Sequence, residues 1–305
     1  MGDPAGVGPE LCCHMAADPV LNAHSQITVY GDPALLQRVA EHCQIPLPSR
    51  IHAITTPIAA HTITPGVVSS AAGTMAIASL DAAIDACLGG QEDALVTAPI
   101  HKGAVHAAGF RHPGHTEYLA QRCGKAKVAM ALTGPSLTVA LATVHRSLAS
   151  VAQALTAQEL ISVGNLLHQA LRMRLRRPPR LACVALNPHA GENGLFGDEE
   201  VRIIRPALAH LRAAGIDISD PLSPDSAFTP KLRKLYDGHL CCYHDQGLIP
   251  FKMLHFHDGV NWTLGLPIIR TSPDHGTAFD IAWRGTVDQR SMRAAVSLAT
   301  QLTSD

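Results

Sequence analysis

Runs of β-branched and apolar residues alternate along this chain with segments of helical periodicity. That alternation limits the fold more than any other feature. Gln26-Ile-Thr-Val-Tyr30 reads as a strand ending at Gly31-Asp-Pro33, and a helix is expected from Asp32 to about Cys43. Ile77, Leu80, Ile84 and Leu88 recur at helical spacing, and Ala94-Leu-Val-Thr97 follows as a short strand. Thr138 to Val144, Arg180 to Leu186 and His239 to Tyr243 read as buried strands. Between them, Thr156-Ala-Gln-Glu159 has the form of a capping box and opens a helix through Leu171. Glu199 to Ala214 is a further helix, with Gly215 as its stop and Pro206 as a kink. Repeated βα units of this kind build an α/β fold with a mostly parallel sheet.

The 305 residues can bury a core without disulfide or metal staples. With 24 Lys and Arg against 25 Asp and Glu, nothing marks a nucleic-acid binder, and no repeat or low-complexity linker is present. The apolar runs fall short of the roughly 18 residues of a membrane span, so a cytoplasmic chain is expected. Eight cysteines without a Cys-x-x-Cys pattern read as reduced, mostly buried thiols. Five arginines between Arg172 and Arg180 precede Pro178-Pro179 or close the run; a solvated helix end accounts for them better than a phosphate patch.

Three expected strands end in a histidine: His145, His189 in Asn187-Pro-His189, and His244 in His244-Asp-Gln246. Ligands of open α/β sheets bind beyond the carboxyl ends of strands. Any one of these residues is explained by a polar exit from the core. Three together point to a catalytic metal site with an open coordination position. Such a metal can polarise a substrate oxygen. Polar loops at His112 to Glu117, Asn187 to Gly197, Pro221 to Asp225 and Val260 to Asp280 gather the remaining candidates.

Several longer stretches carry a resemblance. They are Thr97-Ala-Pro-Ile-His-Lys-Gly103, Pro113-Gly-His-Thr-Glu117, Asn187-Pro-His-Ala-Gly-Glu192 and Tyr243-His-Asp-Gln-Gly-Leu-Ile-Pro-Phe-Lys252. Val260-Asn261, Thr263-Leu-Gly-Leu-Pro-Ile-Ile-Arg270 and Asp274-His-Gly-Thr-Ala278 complete the set. In this order they resemble the motifs of the 4-hydroxythreonine-4-phosphate dehydrogenase family of pyridoxal-phosphate biosynthesis.

The resemblance implies a two-lobed α/β/α subunit similar to the isocitrate and isopropylmalate dehydrogenases, with the active site in a cleft between lobes. It implies a homodimer in which one metal ligand comes from the partner. Residues 1–111 with 256–305 would form the nucleotide lobe, and 112–255 the metal, substrate and dimerisation lobe. The family reaction is NAD-dependent oxidation of 4-phosphooxy-L-threonine, followed by decarboxylation to 3-amino-2-oxopropyl phosphate. Relatives act on D-threonate or D-erythronate 4-phosphate, which is the alternative substrate class.

Carried onto this chain, the metal ligands are His145, His189 and His244. The substrate contacts are His115, Thr116, Lys252, Asn261 and Arg270. Lys102, Asp225 and Asp245 are candidate proton carriers, and Asp245 could instead orient the histidine beside it. Asp274, His275, Gly276 and Asp280 are expected at NAD, with NADP possible. Three imidazoles suit zinc, cobalt or nickel, and substrate oxygens can complete a magnesium or manganese shell. A binding module without hydride transfer, and a histidine-rich storage protein, are the non-enzymatic readings. Trp262 and Trp283 depart from the family pattern; Trp283 is expected to crowd a nucleotide or cap the last helix.

The opening Gly2-Asp-Pro-Ala-Gly-Val-Gly-Pro-Glu10 lacks both the G-x-G-x-x-G and the Gly-Lys-Ser/Thr spacings. It reads as a strand-to-helix turn rather than a phosphate cradle. The strand that precedes this turn in the family is expected to be missing from the numbered chain.

Overall fold

The computed structural model describes residues 1–112, 114–125 and 127–304. Pro113, part of the quoted His112 to Glu117 loop, lies outside them. Among the described residues ten strands follow one another: β1 (Val29–Gly31), β2 (Ile51–Ala53), β3 (Ala94–Val96), β4 (Ala129–Thr133), β5 (Thr138–Leu141), β6 (Leu181–Val184), β7 (Ile218–Leu222), β8 (Gly238–Cys241), β9 (Val260–Leu264) and β10 (Ile269–Pro273). The fold is mixed α/β, as the alternating pattern requires.

Two compact units divide the chain, Met1–Lys125 with Leu266–Asp305, and Ala126–Gly265. The junctions differ from the expected 111/112 and 255/256 for a packing reason. Leu119, on the helix His115–Arg122, is buried with Leu80, Ile84 and Leu95 of the first unit. β9 is hydrogen-bonded along its length to β4 and stays with the second. His115 and Thr116 therefore belong to the first unit, and Asn261 to the second.

In the first unit β1 pairs with β2 and β3 with β10, both in parallel. The helix Ser70–Leu88 packs on these strands, burying Met75, Leu80 and Ile84. Its 19 residues are long and apolar enough to cross a membrane, contrary to the expectation from run lengths, but 56% of its apolar window is buried inside the fold. Among the described residues no strand bridges β1 and β3. Met1, Val29, Tyr30, Leu95 and Val96 instead border a cavity of about 340 Å³ that reaches Thr97 and His115.

The opening turn shows why its glycines are there. Gly2 has φ +69, and a Cβ on it would lie 2.5 Å from the Pro99 carbonyl oxygen. The turn's N–H groups are already engaged: Asp3 donates to Pro99 O at 2.9 Å, Ala5 to Asp3 Oδ1 at 2.9 Å, Gly6 to Asp3 O at 3.1 Å and Val7 to Thr277 O at 3.0 Å. Donors used in this way cannot cradle a phosphate. Trp283 is buried in the same core, its Nε1 donating to Pro4 O at 3.1 Å and Arg38 lying over its ring. It neither caps the last helix, Arg290–Thr303, nor lies on the surface.

The second unit holds a sheet in the order β9-β4-β5-β8-β6-β7. β4 runs antiparallel to both neighbours, and β5, β8, β6 and β7 are mutually parallel. Val139, Leu141, Val184, Cys241 and Phe251 form its core. Trp262 is buried on β9, opposite Ala131. The sheet ends at β7, which contains Pro221 and pairs with β6 through a register shift between Leu181 and Cys183.

The helix expected from Glu199 is present with an irregular first half: Glu200–Ile204 is a π-turn that runs in unbroken right-handed backbone into the α-helix Arg205–Ala213, and Pro206, which has no N–H to donate, stands just past the π-turn. One helix expectation is revised. Thr156 Oγ1 accepts from Glu159 N at 3.1 Å, but the Glu159 carboxylate pairs with Lys127 and does not close the capping box. The arginine run is a helix end with ion pairs: Arg177 binds Asp237 and Arg180 binds Asp217. All eight cysteines are free, and burial pushes Cys13, Cys87 and Cys183 up to about 12.

Candidate active site

In the first unit, β10 carries Arg270, of which 2% is exposed. Burial lowers its guanidinium to about 10, still a cation at neutral pH. Thr97, just past β3, accepts from Arg270 Nε at 3.2 Å and from Nη2 at 2.6 Å. Parallel β3–β10 pairing puts Thr97 and Arg270 at the same sheet end, with Thr97 N donating to Thr271 O at 3.1 Å. His115 opens the helix His115–Arg122. Burial first, and the Arg270 charge second, hold its imidazole well below the usual range. A neutral imidazole beside a buried guanidinium is suited to an anionic ligand, the one by hydrogen bonding and the other by charge.

Thr116 follows on the same helix, half-buried. Lys102 is the first residue of the helix Lys102–Ala107, whose N-terminus His101 caps by accepting from Ala104 N at 3.3 Å. The segment after β10 is fixed at two points, Asp274 N donating to Ser291 Oγ at 2.9 Å and Thr277 O accepting from Val7. His275, Gly276 and Asp280 are exposed and Asp274 is half-buried.

In the second unit the parallel strands β5, β8 and β6 lie side by side, and each leads within a few residues to one histidine. The rings of His145 and His244 stand 5.8 Å apart between centroids, tilted by 40°. His244 begins the helix His244–His255, and its Nδ1 is 2.6 Å from Asp245 Oδ1. That contact fixes the ring and points its Nε2 away from the carboxylate. His189 lies apart from the pair. Its Nδ1 lies 3.9 Å from Glu192 Oε1, and Asp225 is close enough to feel it electrostatically. Among the described residues no three acidic, histidine or cysteine side chains of one chain gather closely enough to hold a metal. The structure thus brings two of the three expected ligands together and leaves the third at another strand end.

His145 and His189 share a signature the sequence hides: φ of +53 and +51. Left-handed backbone is uncommon outside glycine and is concentrated at functional positions. The donor set fits a divalent metal by its chemistry. It comprises accessible imidazoles, one of them oriented by a carboxylate, at the ends of parallel strands.

Asp225 accepts from Ser223 Oγ at 2.6 Å, and this bond holds the carboxyl below the usual range. Lys252 lies 5.6 Å from the Phe256 ring on the helix that His244 begins. Asn261, on β9, has its side-chain oxygen buried with no hydrogen-bond partner among the described residues, as a ligand-binding amide would. Thr97, Ser223 and Glu200, whose carboxylate holds the His189 turn, were not singled out from the sequence. Thr97 lies inside a quoted motif and Ser223 inside the Pro221 to Asp225 loop; Glu200 carries no local signal.

The first unit thus carries a buried arginine next to a neutral histidine, and the second carries strand-end imidazoles, on the mostly parallel α/β scaffold of an enzyme that handles an anionic ligand. The chain belongs to the family described as pyridoxal phosphate biosynthetic protein PdxA, whose model matches residues 23–299. A protein of Geobacter metallireducens named 4-hydroxythreonine-4-phosphate dehydrogenase is 43% identical over 99% of this chain and 94% of its own length. A D-threonate 4-phosphate dehydrogenase of Salmonella typhimurium is 40% identical over 99% of this chain and 97% of its own. The crystal structure of a 4-hydroxythreonine-4-phosphate dehydrogenase from Klebsiella pneumoniae superposes with a TM-score of 0.89 at 38% identity, covering 100% of this chain and 98% of that one.

Proposed function

We propose that the chain oxidises 4-phosphooxy-L-threonine with NAD and a divalent metal, and decarboxylates the product to 3-amino-2-oxopropyl phosphate. The observation that carries this reading is Arg270, a buried guanidinium held by Thr97 beside a neutral His115. Such a cation, already desolvated, binds a phosphate or carboxylate strongly. The names of the Geobacter and Klebsiella proteins support the substrate.

In this reading His115, Thr116, Lys252, Asn261 and Arg270 bind and orient the substrate. Hydride leaves the hydroxyl-bearing carbon for the nicotinamide, and the hydroxyl proton passes to a base. The resulting β-keto acid loses carbon dioxide, and the enol carbon is then reprotonated. Asp245 is already bonded to His244, so we assign it to orienting that ring. Lys102 and Asp225 remain the candidates for the proton. His145, His189 and His244 would hold the metal, which when bound supplies Lewis-acid polarisation of substrate oxygens. Asp274, His275, Gly276 and Asp280 are assigned to the nucleotide, NAD in preference to NADP.

A homodimer is part of the proposal. Ile249, Met253 and Phe256 recur at i, i+4 and i+7 along the helix that begins at His244 and its C-cap, and they are 60%, 82% and 68% exposed. Contiguous apolar surface of this kind marks an interface. Docking through it would bring His244 close to a second chain, as ligands shared between two subunits require.

NADH formation from 4-phosphooxy-L-threonine, before and after chelation, tests the reading in wild type and His189→Ala. Activity lost on chelation and in the variant supports it. Clear preference for D-threonate 4-phosphate over 4-phosphooxy-L-threonine would move the chain to the substrate of the Salmonella relative, and unchanged activity in His189→Ala would remove the metal role.

A further inference from the structure

We propose that Glu200 positions His189 and thereby sets the affinity of this protein for a divalent metal; the inference rests on the metal-binding reading of His189. Only 1% of Glu200 is exposed. A carboxylate removed from water must be satisfied by donors. Glu200 is satisfied by the segment that leads into His189. Its Oε1 accepts from Leu186 N at 2.9 Å and from Asn187 N at 2.8 Å, and its Oε2 accepts from Asn187 Nδ2 at 2.9 Å. The same amide nitrogen donates to Glu199 Oε2 at 2.7 Å.

The carboxylate also marks the far side of the turn. Gly191, at φ +76, passes so near that a Cβ on it would lie 2.7 Å from Glu200 Oε2. His189 is therefore suspended between Asn187, bonded to Glu200, and Gly191, packed against it. His189, Ala190, Glu192 and Asn193 all have positive φ, at 51°, 56°, 40° and 57°. Non-glycine residues avoid this region, and a run of them persists only where the surroundings over-determine it. The His189 side chain is itself 63% exposed, so its placement comes from the backbone beneath it. Phe196 N, donating to Gly191 O at 3.2 Å, closes the exit of the turn, and Glu200 holds its entry.

The position of the residue explains how it does so. Glu200 opens the π-turn that precedes the helix Arg205–Ala213. Single π-turns re-aim side chains and are frequent at functional sites. This one directs the carboxylate at main-chain donors more than ten residues earlier in the chain.

The test is titration of the full-length protein with Co²⁺, followed by visible absorption, in wild type, E200A and E200Q. NAD affinity and amide hydrogen exchange are measured on the same samples. E200A should weaken Co²⁺ binding by about 10- to 100-fold, the usual effect of losing a group that orients a ligand. Exchange should accelerate over residues 187–193, while NAD affinity stays within about twofold. E200Q keeps an oxygen for the two main-chain donors but turns an NH₂ toward Asn187, so it should fall between wild type and E200A.

Wild-type Co²⁺ affinity in E200A overturns the inference, and so does an equal loss of Co²⁺ and NAD affinity, which would mean general damage. Should E200A fail to fold, E200Q decides by the same two measurements. A wild-type protein that binds no Co²⁺ rejects the metal reading itself, a result distinct from binding that E200A leaves unchanged.

Discussion

Arg270 donates through both Nε and Nη2 to one acceptor, Thr97 Oγ1, at 3.2 and 2.6 Å. The threonine hydroxyl fixes the plane of the guanidinium and so the direction of its other donors. Arg270→Lys removes the planar fork and should raise KM for the phosphorylated substrate by about 100-fold. Thr97→Val keeps the charge and the shape but loses the acceptor. Without that acceptor the guanidinium plane is no longer fixed for the ligand, and KM should rise roughly tenfold, equivalent to about 1.4 kcal/mol of binding free energy. Steady-state kinetics check both; a Thr97→Val enzyme with unchanged KM would deny Thr97 this role.

His239 gives an acid-sensitive core. It is 1% exposed, stacked on Phe228, and burial lowers its imidazole to about 4. The unfolded chain binds its proton near pH 6.5 and the folded chain only near 4. Between those values the unfolded state holds more protons, so this contribution is complete at pH 7 and is lost as pH falls through the window. The displacement from the ordinary value to about 4 corresponds to roughly 3 kcal/mol. Urea unfolding of wild type and His239→Leu, at pH 7 and pH 4, should show the variant gaining about that much on the wild type at pH 4. Parallel pH profiles would refute it.

Gly134, in the turn between β4 and β5, lies under the His255 ring. A Cβ there would meet His255 Cγ at 2.4 Å. That ring is held at both edges, by Ser136 Oγ at 2.9 Å and by Asp258 at 3.0 Å, and cannot swing away without breaking a bond. Gly134→Ala should therefore destabilise the protein by about 1–3 kcal/mol, the range for overpacking a filled site. The denaturation midpoint reads this directly. Adding His255→Ala should restore part of the loss, because it removes the obstructing ring.

The exposed apolar stripe of Ile249, Met253 and Phe256 predicts the response of the assembly to charge. Met253→Glu with Phe256→Glu should convert a dimer to monomers by light scattering at micromolar concentration, with circular dichroism unchanged. Activity should fall with dimer content if metal ligands are shared. A dimer that survives both substitutions places the interface elsewhere.

The α/β class could be read from the chain because β5, β6 and β8 are buried on both faces and appear as short, mostly apolar runs, broken in β8 only by His239. β9 and β10 could not be recognised as strands, since Asn261 and Arg270 interrupt their apolar pattern with the residues assigned to the site. β7 was hidden by Pro221, which propensity places outside sheets. The three histidines were visible from strand ends alone. The left-handed turn that carries His189 was not, because Ala190 and Glu192 are types that local preference places in the right-handed region. The buried Glu200 carboxylate that bonds Leu186 N and Asn187 N ahead of this turn lies more than ten residues further along the chain, outside any local window.

The end of the second unit's sheet bears on how this protein behaves when concentrated. An edge strand presents unpaired N–H and C=O groups that can template pairing with another molecule. On β7, Pro221 has no N–H to offer, Asp220 carries a charge, and the shifted register against β6 disturbs the flat ladder an incoming strand would need. The parallel sheet thus terminates in a strand whose missing donor, charge and broken register each disfavour extension by a second molecule.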